Sequence, residues 1–418
     1  MDAQILHRAA DEWGTPLYVY DGNLIREKCR RFQKAVSQQY EKVKICYAAK
    51  ANTNLSILTL LREEGSSIDA VSVGEIDAAL KVGYNPENII YTSNSKTDPD
   101  LRYAIQKGVI INLDNLIELE ALLKIAALEG VVPRISFRVN PEIDAKTHPK
   151  ISTALRSSKF GLPVHGCFAL EAYRLALKSE NVNVAGVHAH IGSQITDVSA
   201  FVELGMKMAD FVEQLKVELD LELEFIDIGG GLGIPYKGES MIGPKDYASS
   251  VIPPLKETFR RLGIKPELWF EPGRYLVGDA GVLATRVNSV KEANGRAFIN
   301  VDSGFNTLIR PAMYDAYHGI SVVGKEGDKP TKTYTIAGNL CESGDVFAKD
   351  RKLPEVKKGD LIAIHDVGAY GYSMASNYNS MTLPAEVLVL DGESHLIRER
   401  QKIEDLYRRQ TIPEELKG

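Results

Sequence analysis

The chain has 418 residues, 44% hydrophobic and 25% charged, which allows two domains or one large barrel with an appendage. Its 50 Lys and Arg against 56 Asp and Glu give a formal net charge of −6 with no basic cluster, which argues against a nucleic-acid partner. Residues 1–14 hold no signal-like apolar run, no stretch reaches the roughly 18 apolar residues of a membrane helix, and Cys29, Cys46, Cys167 and Cys341 lack metal or disulfide spacing, so a cytoplasmic chain with no membrane partner and no bound metal is expected.

From the N-terminus, residues 15–20 (TPLYVY) are β-rich and precede a long alternation. Short apolar runs recur at 43–50, 67–73, 88–94, 108–114, 134–140, 184–192, 224–231 and 267–273. Helical patterns such as 55–64 and 117–128 separate them, with apolar residues at three- and four-residue steps. Eight strand–helix units match the arithmetic of a (β/α)₈ barrel of the TIM type, although alternation alone also permits an open doubly wound sheet. Reactive residue types gather at the C-terminal ends of these runs, namely Lys50, Asn94, Arg138, His190, the glycines at 229–231 and Glu271. A parallel barrel collects its active site there, which favours closure.

After Tyr275 the rhythm changes to strand candidates separated by turns, at 282–290, 297–301, 333–336, 361–365 and 386–390. These predict a mainly antiparallel β-domain, with which residues 15–20 could pair. The expected division is a barrel over 25–277 and a discontinuous β-domain from 1–24 and 278–418.

Several positions carry chemistry. A loop lysine is usually a solvated charge, but at a barrel mouth after an apolar strand the Lys50 amine would be partly desolvated and suited to a Schiff base with an aldehyde cofactor. Gly229, Gly230 and Gly231 remove Cβ at consecutive positions, so backbone N–H groups could cradle a phosphate; the bland alternative is a flexible turn. Glu271, in Glu271-Pro272-Gly273-Arg274, could keep a cofactor's ring nitrogen protonated, or could merely sit in a surface turn. His188 and His190 alternate within one run without a third ligand at zinc-like spacing. A stacking plate suits His190, and a structural place suits His188. Cys341, flanked by Glu342 and Asp345, should be a poor thiolate but a usable proton donor, and Tyr370 could reach the same neighbourhood.

Taken in order, YAAKAN at Lys50, ISTALRSSKFG at 151–161, HIGSQ at His190, DIGGGLG, EPGR, RPAMYDAYH at 310–318 and CESGD at Cys341 resemble the alanine-racemase-like barrel branch of pyridoxal-phosphate enzymes. Within that branch they resemble the diaminopimelate decarboxylase family. The resemblance spans essentially the whole chain. It implies that Lys50 holds pyridoxal 5'-phosphate covalently and that His190 stacks on its ring, with Ser193 nearby. It further implies that Glu271 meets the ring nitrogen, that Gly229, Gly230, Gly231, Gly273 and Arg274 hold the phosphate, and that Tyr370 touches the cofactor. Arg274, Arg310 and Tyr314 would grip the distal carboxylate of the substrate, and Glu342 its distal ammonium, with Tyr370 close by. Cys341 would act as general acid from a second subunit, making the working unit a homodimer with shared sites. The reaction expected is conversion of meso-2,6-diaminopimelate to L-lysine and CO₂.

Three loops depart from the usual family pattern: Ser72-Val73-Gly74-Glu75, Thr92-Ser93-Asn94-Ser95-Lys96 and Asn379-Ser380-Met381-Thr382. A decarboxylase of a related amino acid (D-ornithine, D-lysine or carboxynorspermidine) remains an alternative, and a non-catalytic pyridoxal-phosphate-binding protein is the alternative of another class. Residues 143–158 are polar and poor in glycine, compatible with a lid over the substrate.

Overall fold

The computed structural model describes residues 1–144, 153–154, 158–239, 241–293 and 295–417. Eleven of the 16 residues of the lid expected over 143–158, and five of the 11 in the run 151–161, therefore lie outside the described residues. The chain forms two compact units, Leu24–Gly278 and the discontinuous pair Met1–Asn23 and Asp279–Gly418.

Among the described residues of the first unit eight barrel strands follow in chain order: β1 (Val43–Ala48), β2 (Ser67–Ala70), β3 (Ile89–Tyr91), β4 (Ile110–Leu113), β5 (Arg134–Asn140), β6 (Asn183–His188), β7 (Phe225–Asp227) and β8 (Glu267–Phe270), with a two-residue strand, Leu162–Pro163, beside the end of β5. Each pairs in parallel with the next, and β8 pairs with β1, so the sheet closes. The choice between barrel and open sheet is settled by that last pairing. Because all these strands are buried on both faces, they read as apolar runs and not as alternating patterns.

Helices return the chain between strands, and their starts are written in the sequence. Asn54, Ser72, Asn115 and Asp197 each accept a backbone N–H of the first turn, and Thr97 forms a capping box with Asp100. Several stop at a left-handed glycine, Gly108, Gly130 or Gly263. The barrel interior is filled by side chains from different strands, among them Cys46, Ile90, Ile110, Ala185, Phe225 and Trp269. The rings of Phe225 and Trp269 stack at 3.8 Å, and a Cβ on Gly186 would lie 2.3 Å from the Phe225 ring. A glycine at 186 is thus what lets that large ring enter.

Most observed strands end earlier than the apolar runs suggest: β1 stops at Ala48, β6 at His188 and β7 at Asp227. The apolar character continues into the βα loops because those loops are themselves packed over the barrel. Lys50 consequently lies in a short 3₁₀ turn, Ala49–Ala51, and His190 lies in a loop, beyond the strand alternation expected to align it with His188.

The second unit is built on strand Leu17–Asp21, which pairs antiparallel with Gly281–Ala293 and parallel with Ala385–Leu390. The remaining pairings are antiparallel except that between Arg296–Val301 and Lys332–Ala337. Its core includes Leu17, Val19, Val282, Ala284, Ala363, Val387 and the apolar face of helix Ala3–Trp13. Strands Val346–Leu353 and Glu393–Arg398 escape sequence reading because they are rich in charge and half exposed, leaving only a weak hydrophobic period.

Candidate active site

The barrel places its reactive groups where β1, β2, β3, β5, β6, β7 and β8 end. Lys50 Nζ lies 2.6 Å from Oδ2 of Asp69, a carboxylate wholly buried on β2. The register Ala48↔Asp69 puts that carboxylate two residues from the lysine along the barrel rim. Thr92, just past β3, donates to the other Asp69 oxygen. Burial and the nearby Glu271 raise the Asp69 pKa, while Lys50 and Thr92 oppose the rise.

Opposite them, Glu271 is buried just beyond β8 with its Oε1 3.2 Å from His188 Nε2. Burial would raise its pKa, but His188, Lys50 and His190 outweigh that and hold it below the usual carboxylate range. Asp227 completes a buried trio with His188 and Glu271, their ligand-type atoms all within 4.8 Å of one another. Sequence spacing gave His188 no third partner, and the fold supplies two carboxylates from adjacent strands. Desolvation and repulsion from Glu271 push Asp227 well above its ordinary pKa. Among the described residues, Glu271 Oε1, Asp227 Oδ2 and both ring nitrogens of His188 are buried without a hydrogen-bond partner.

His190 is half-buried, and its Nδ1 accepts the N–H of Gly230 at 3.1 Å. Desolvation, with Lys50 and Arg138 nearby, depresses its pKa strongly. The glycine triplet does more than bare its amides. A Cβ on Gly230 would fall 2.1 Å from the Glu271 carbonyl oxygen, and one on Gly229 2.5 Å from that of Ala189. The Gly229 N–H already donates to Asp227 at 2.8 Å, so two of the three amides serve the protein itself. Here glycine allows the ends of β6, β7 and β8 to approach closely.

Arg274 is buried, with Nε 3.2 Å from Ser193 Oγ and a terminal nitrogen 2.6 Å from the Tyr236 hydroxyl. Gly273 packs against Ala48, where a Cβ would meet another at 3.0 Å. Arg138, buried on β5, lies 4.4 Å over the Phe160 ring.

The remaining residues singled out in the sequence belong to the other unit. Arg310 is buried at the start of helix Arg310–Tyr314 and contacts His318 Nε2 at 2.9 Å. His318 Nδ1 faces the His365 carbonyl at 2.8 Å, so Nε2 is the acceptor. Tyr370 adopts a left-handed φ of 58°. Cys341 and Glu342 lie on an exposed loop, and Asp345 turns away from them, accepting the N–H groups of Leu340 and Phe305 at 2.7 Å each. Asp69, Thr92, Asp227 and Tyr236 were not anticipated in these roles, whereas Arg138 stood among the reactive residues at the strand ends. Asp69 and Asp227 had a signal, because a carboxylate inside an otherwise apolar strand must have a buried partner.

The family model of the pyridoxal-dependent decarboxylase, pyridoxal binding domain, matches residues 23–278. A diaminopimelate decarboxylase of Methanothermobacter thermautotrophicus is 47% identical over 97% of this chain and 94% of its own. The chain belongs to the diaminopimelate decarboxylase family. Among solved structures, the family member from M. jannaschii in complex with L-lysine superposes with a TM-score of 0.92 at 41% identity, covering 98% of this chain and 95% of that one. The Helicobacter pylori enzyme complexed with L-lysine gives 0.89 at 39% identity, over 96% and 98%. As a pyridoxal-dependent decarboxylase of the lyase class, the chain uses pyridoxal phosphate, and its barrel fits that cofactor. The buried Glu271 Oε1 that lacks a hydrogen bond matches a protonated ring nitrogen, and Lys50 offers the amine at the rim. Among the described residues no helix is long and apolar enough to cross a membrane.

Proposed function

We propose that this chain removes CO₂ from meso-2,6-diaminopimelate to release L-lysine, the last step of lysine biosynthesis. The observation that carries the reading is the barrel-rim pair of Lys50 and Asp69 within electrostatic reach of a buried Glu271 whose Oε1 lacks a hydrogen bond. Family members of 39–47% identity named for this activity support the substrate.

Bound pyridoxal phosphate supplies an electron-poor ring that takes up the electron pair left when a carboxylate departs as CO₂. Lys50 would hold it covalently, and Asp69 would keep the lysine side chain at the barrel rim. Glu271, kept ionised by His188, holds a proton on the ring nitrogen. His190 lies flat as a neutral plate. Ser193, Gly229, Gly230, Gly231, Gly273 and Arg274 grip the phosphate, Gly229 and Gly230 chiefly by setting the shape of the cradle. Tyr370 would reach the cofactor as well.

Arg274, Arg310 and Tyr314 bind the distal carboxylate, and Glu342 the distal ammonium. That zwitterionic end explains the choice of substrate. A diamine-forming relative needs no cation there, so Arg310 would favour a substrate that brings a carboxylate. Cys341 then delivers its thiol proton to the α-carbon. It does so from a second subunit, so a homodimer with shared sites is the working form, and the cytoplasm is its place.

Borohydride treatment of cofactor-loaded protein, followed by peptide mapping, should tag Lys50; a tag on another side chain overturns the site. Product analysis with stereochemically pure meso-diaminopimelate should give lysine. Faster turnover of D-ornithine, D-lysine or carboxynorspermidine would instead favour a related decarboxylase.

A further inference from the structure

The turn at Tyr378–Ser380 lies in one of the loops that depart from the family pattern, and nothing in the proposed chemistry uses it. In the structure it grips the Cys341–Glu342 loop at two points. The Tyr378 hydroxyl donates to Glu342 Oε1 at 2.5 Å. One residue on, the Asn379 side-chain oxygen accepts the Cys341 backbone N–H at 2.9 Å. Asn379 sits at φ 55° and ψ 24°, and Ser380 at φ 57°, both in the left-handed region. Asparagine is among the few side chains that tolerate that region, so residue 379 combines a demanding backbone with an acceptor aimed across the gap.

The grip itself is anchored. The Tyr378 ring stacks on Phe305 with centroids 5.3 Å apart and planes 28° from parallel. Phe305 and Leu340 are tied together by Asp345, whose two oxygens accept one N–H from each. A Cβ on Gly338 would lie 2.2 Å from Asp345 Oδ2, so that carboxylate fits only beside glycine. The loop bearing Cys341 and Glu342 is therefore held on both flanks within a single unit.

We infer that Tyr378 and Asn379 are positioning residues, Tyr378 aiming Glu342 at the distal ammonium of the substrate and Asn379 setting the backbone from which Cys341 presents its thiol. This rests on the roles of Cys341 and Glu342 given above. An exposed glutamate samples many rotamers, and a donor on one oxygen removes most of them before the substrate arrives. A general acid on a loop needs its backbone fixed for the same reason, since small displacements of a proton donor cost large factors in rate. The two contacts serve different steps, so they separate in kinetics.

Five variants of the holoenzyme test this on meso-diaminopimelate. Tyr378→Phe keeps the stacked ring and loses only the hydroxyl. It should raise KM about five- to tenfold, the loss of one hydrogen bond to a charged group, with kcat little changed. Asn379→Gly keeps the left-handed backbone and loses the acceptor, and should lower kcat about tenfold with KM little changed. Asn379→Asp, which keeps an acceptor oxygen, should restore most of that kcat. Combining Tyr378→Phe with Glu342→Gln should give no larger KM than Glu342→Gln alone. Additive effects in that pair, or wild-type constants for Tyr378→Phe and Asn379→Gly, overturn the inference while leaving the proposed reaction standing. An unchanged KM in Glu342→Gln by itself would instead remove the assigned role of Glu342, and the positioning role with it.

Discussion

Gly230 donates its backbone N–H to Nδ1 of His190, so the imidazole carries its proton on Nε2. With its pKa pressed far down by burial and neighbouring cations, that ring stays neutral at ordinary pH. A neutral imidazole there adds no charge to compete with Glu271, in keeping with the role proposed for that carboxylate.

The same glycine gives a sharp mutational contrast. Gly230→Ala would drive a Cβ to within 2.1 Å of the Glu271 carbonyl, backbone that cannot swing aside. A loss of about 3 kcal/mol is expected in chemical unfolding, together with weaker cofactor retention. Gly74→Ala is the control. Its Cβ meets nothing nearer than Ser72 Oγ at 3.8 Å, inside helix Val73–Lys81, so stability should hold or rise by about 0.5–1 kcal/mol.

Glu271→Gln keeps the volume but cannot hold a proton on the ring nitrogen by charge. Turnover should fall about 10²-fold or more while Lys50 still takes up the cofactor, read by its visible absorbance. His188→Gln, which removes the imidazole 3.2 Å from Glu271, should give a smaller loss that grows as pH falls. Equal losses at all pH values would show that His188 only fills space.

Glu75 predicts a pH dependence. Burial raises its pKa to about 7, against the Val71 N–H and Lys50, which lower it. A carboxyl whose folded pKa lies above its unfolded one stabilises most below the unfolded value, near 4.5, and that contribution is lost as pH rises through 7. Unfolding free energies measured at pH 5 and pH 8 should therefore differ less in Glu75→Gln than in the parent, by on the order of 2 kcal/mol. Parallel pH profiles in the two proteins would rule this out.

Lys96 shows how a departure from the family pattern can be structural. Its ammonium is fully buried and reaches the Ser93 carbonyl at 2.5 Å, that of Asn112 at 2.6 Å and Glu118 at 3.2 Å. Lys96→Met leaves the buried Glu118 without its counter-charge and should cost about 3–5 kcal/mol. Calorimetry should show a correspondingly lower melting temperature, with the kinetic constants little changed in the surviving folded protein.

The barrel was readable because periodicity, caps and turn residues are local: Asn54, Ser72, Thr97 and Asn115 announce helix starts within a few residues of each strand end. Lys50, His190, Glu271 and the glycines were readable because reactive types at strand ends are unusual in apolar surroundings. Tertiary structure alone decided that β8 pairs with β1, that Asp69 faces Lys50, and that Asp227 and His188 crowd Glu271. Those relations join residues 19 to 225 positions apart, and whether two charges share a buried site depends on register between strands, which no single segment encodes. The two grips of Tyr378 and Asn379 on the Cys341 loop are of the same kind. A sequence names the groups available, while the folding of distant strands into one sheet determines which of them lose their water together and must therefore share a proton or a charge.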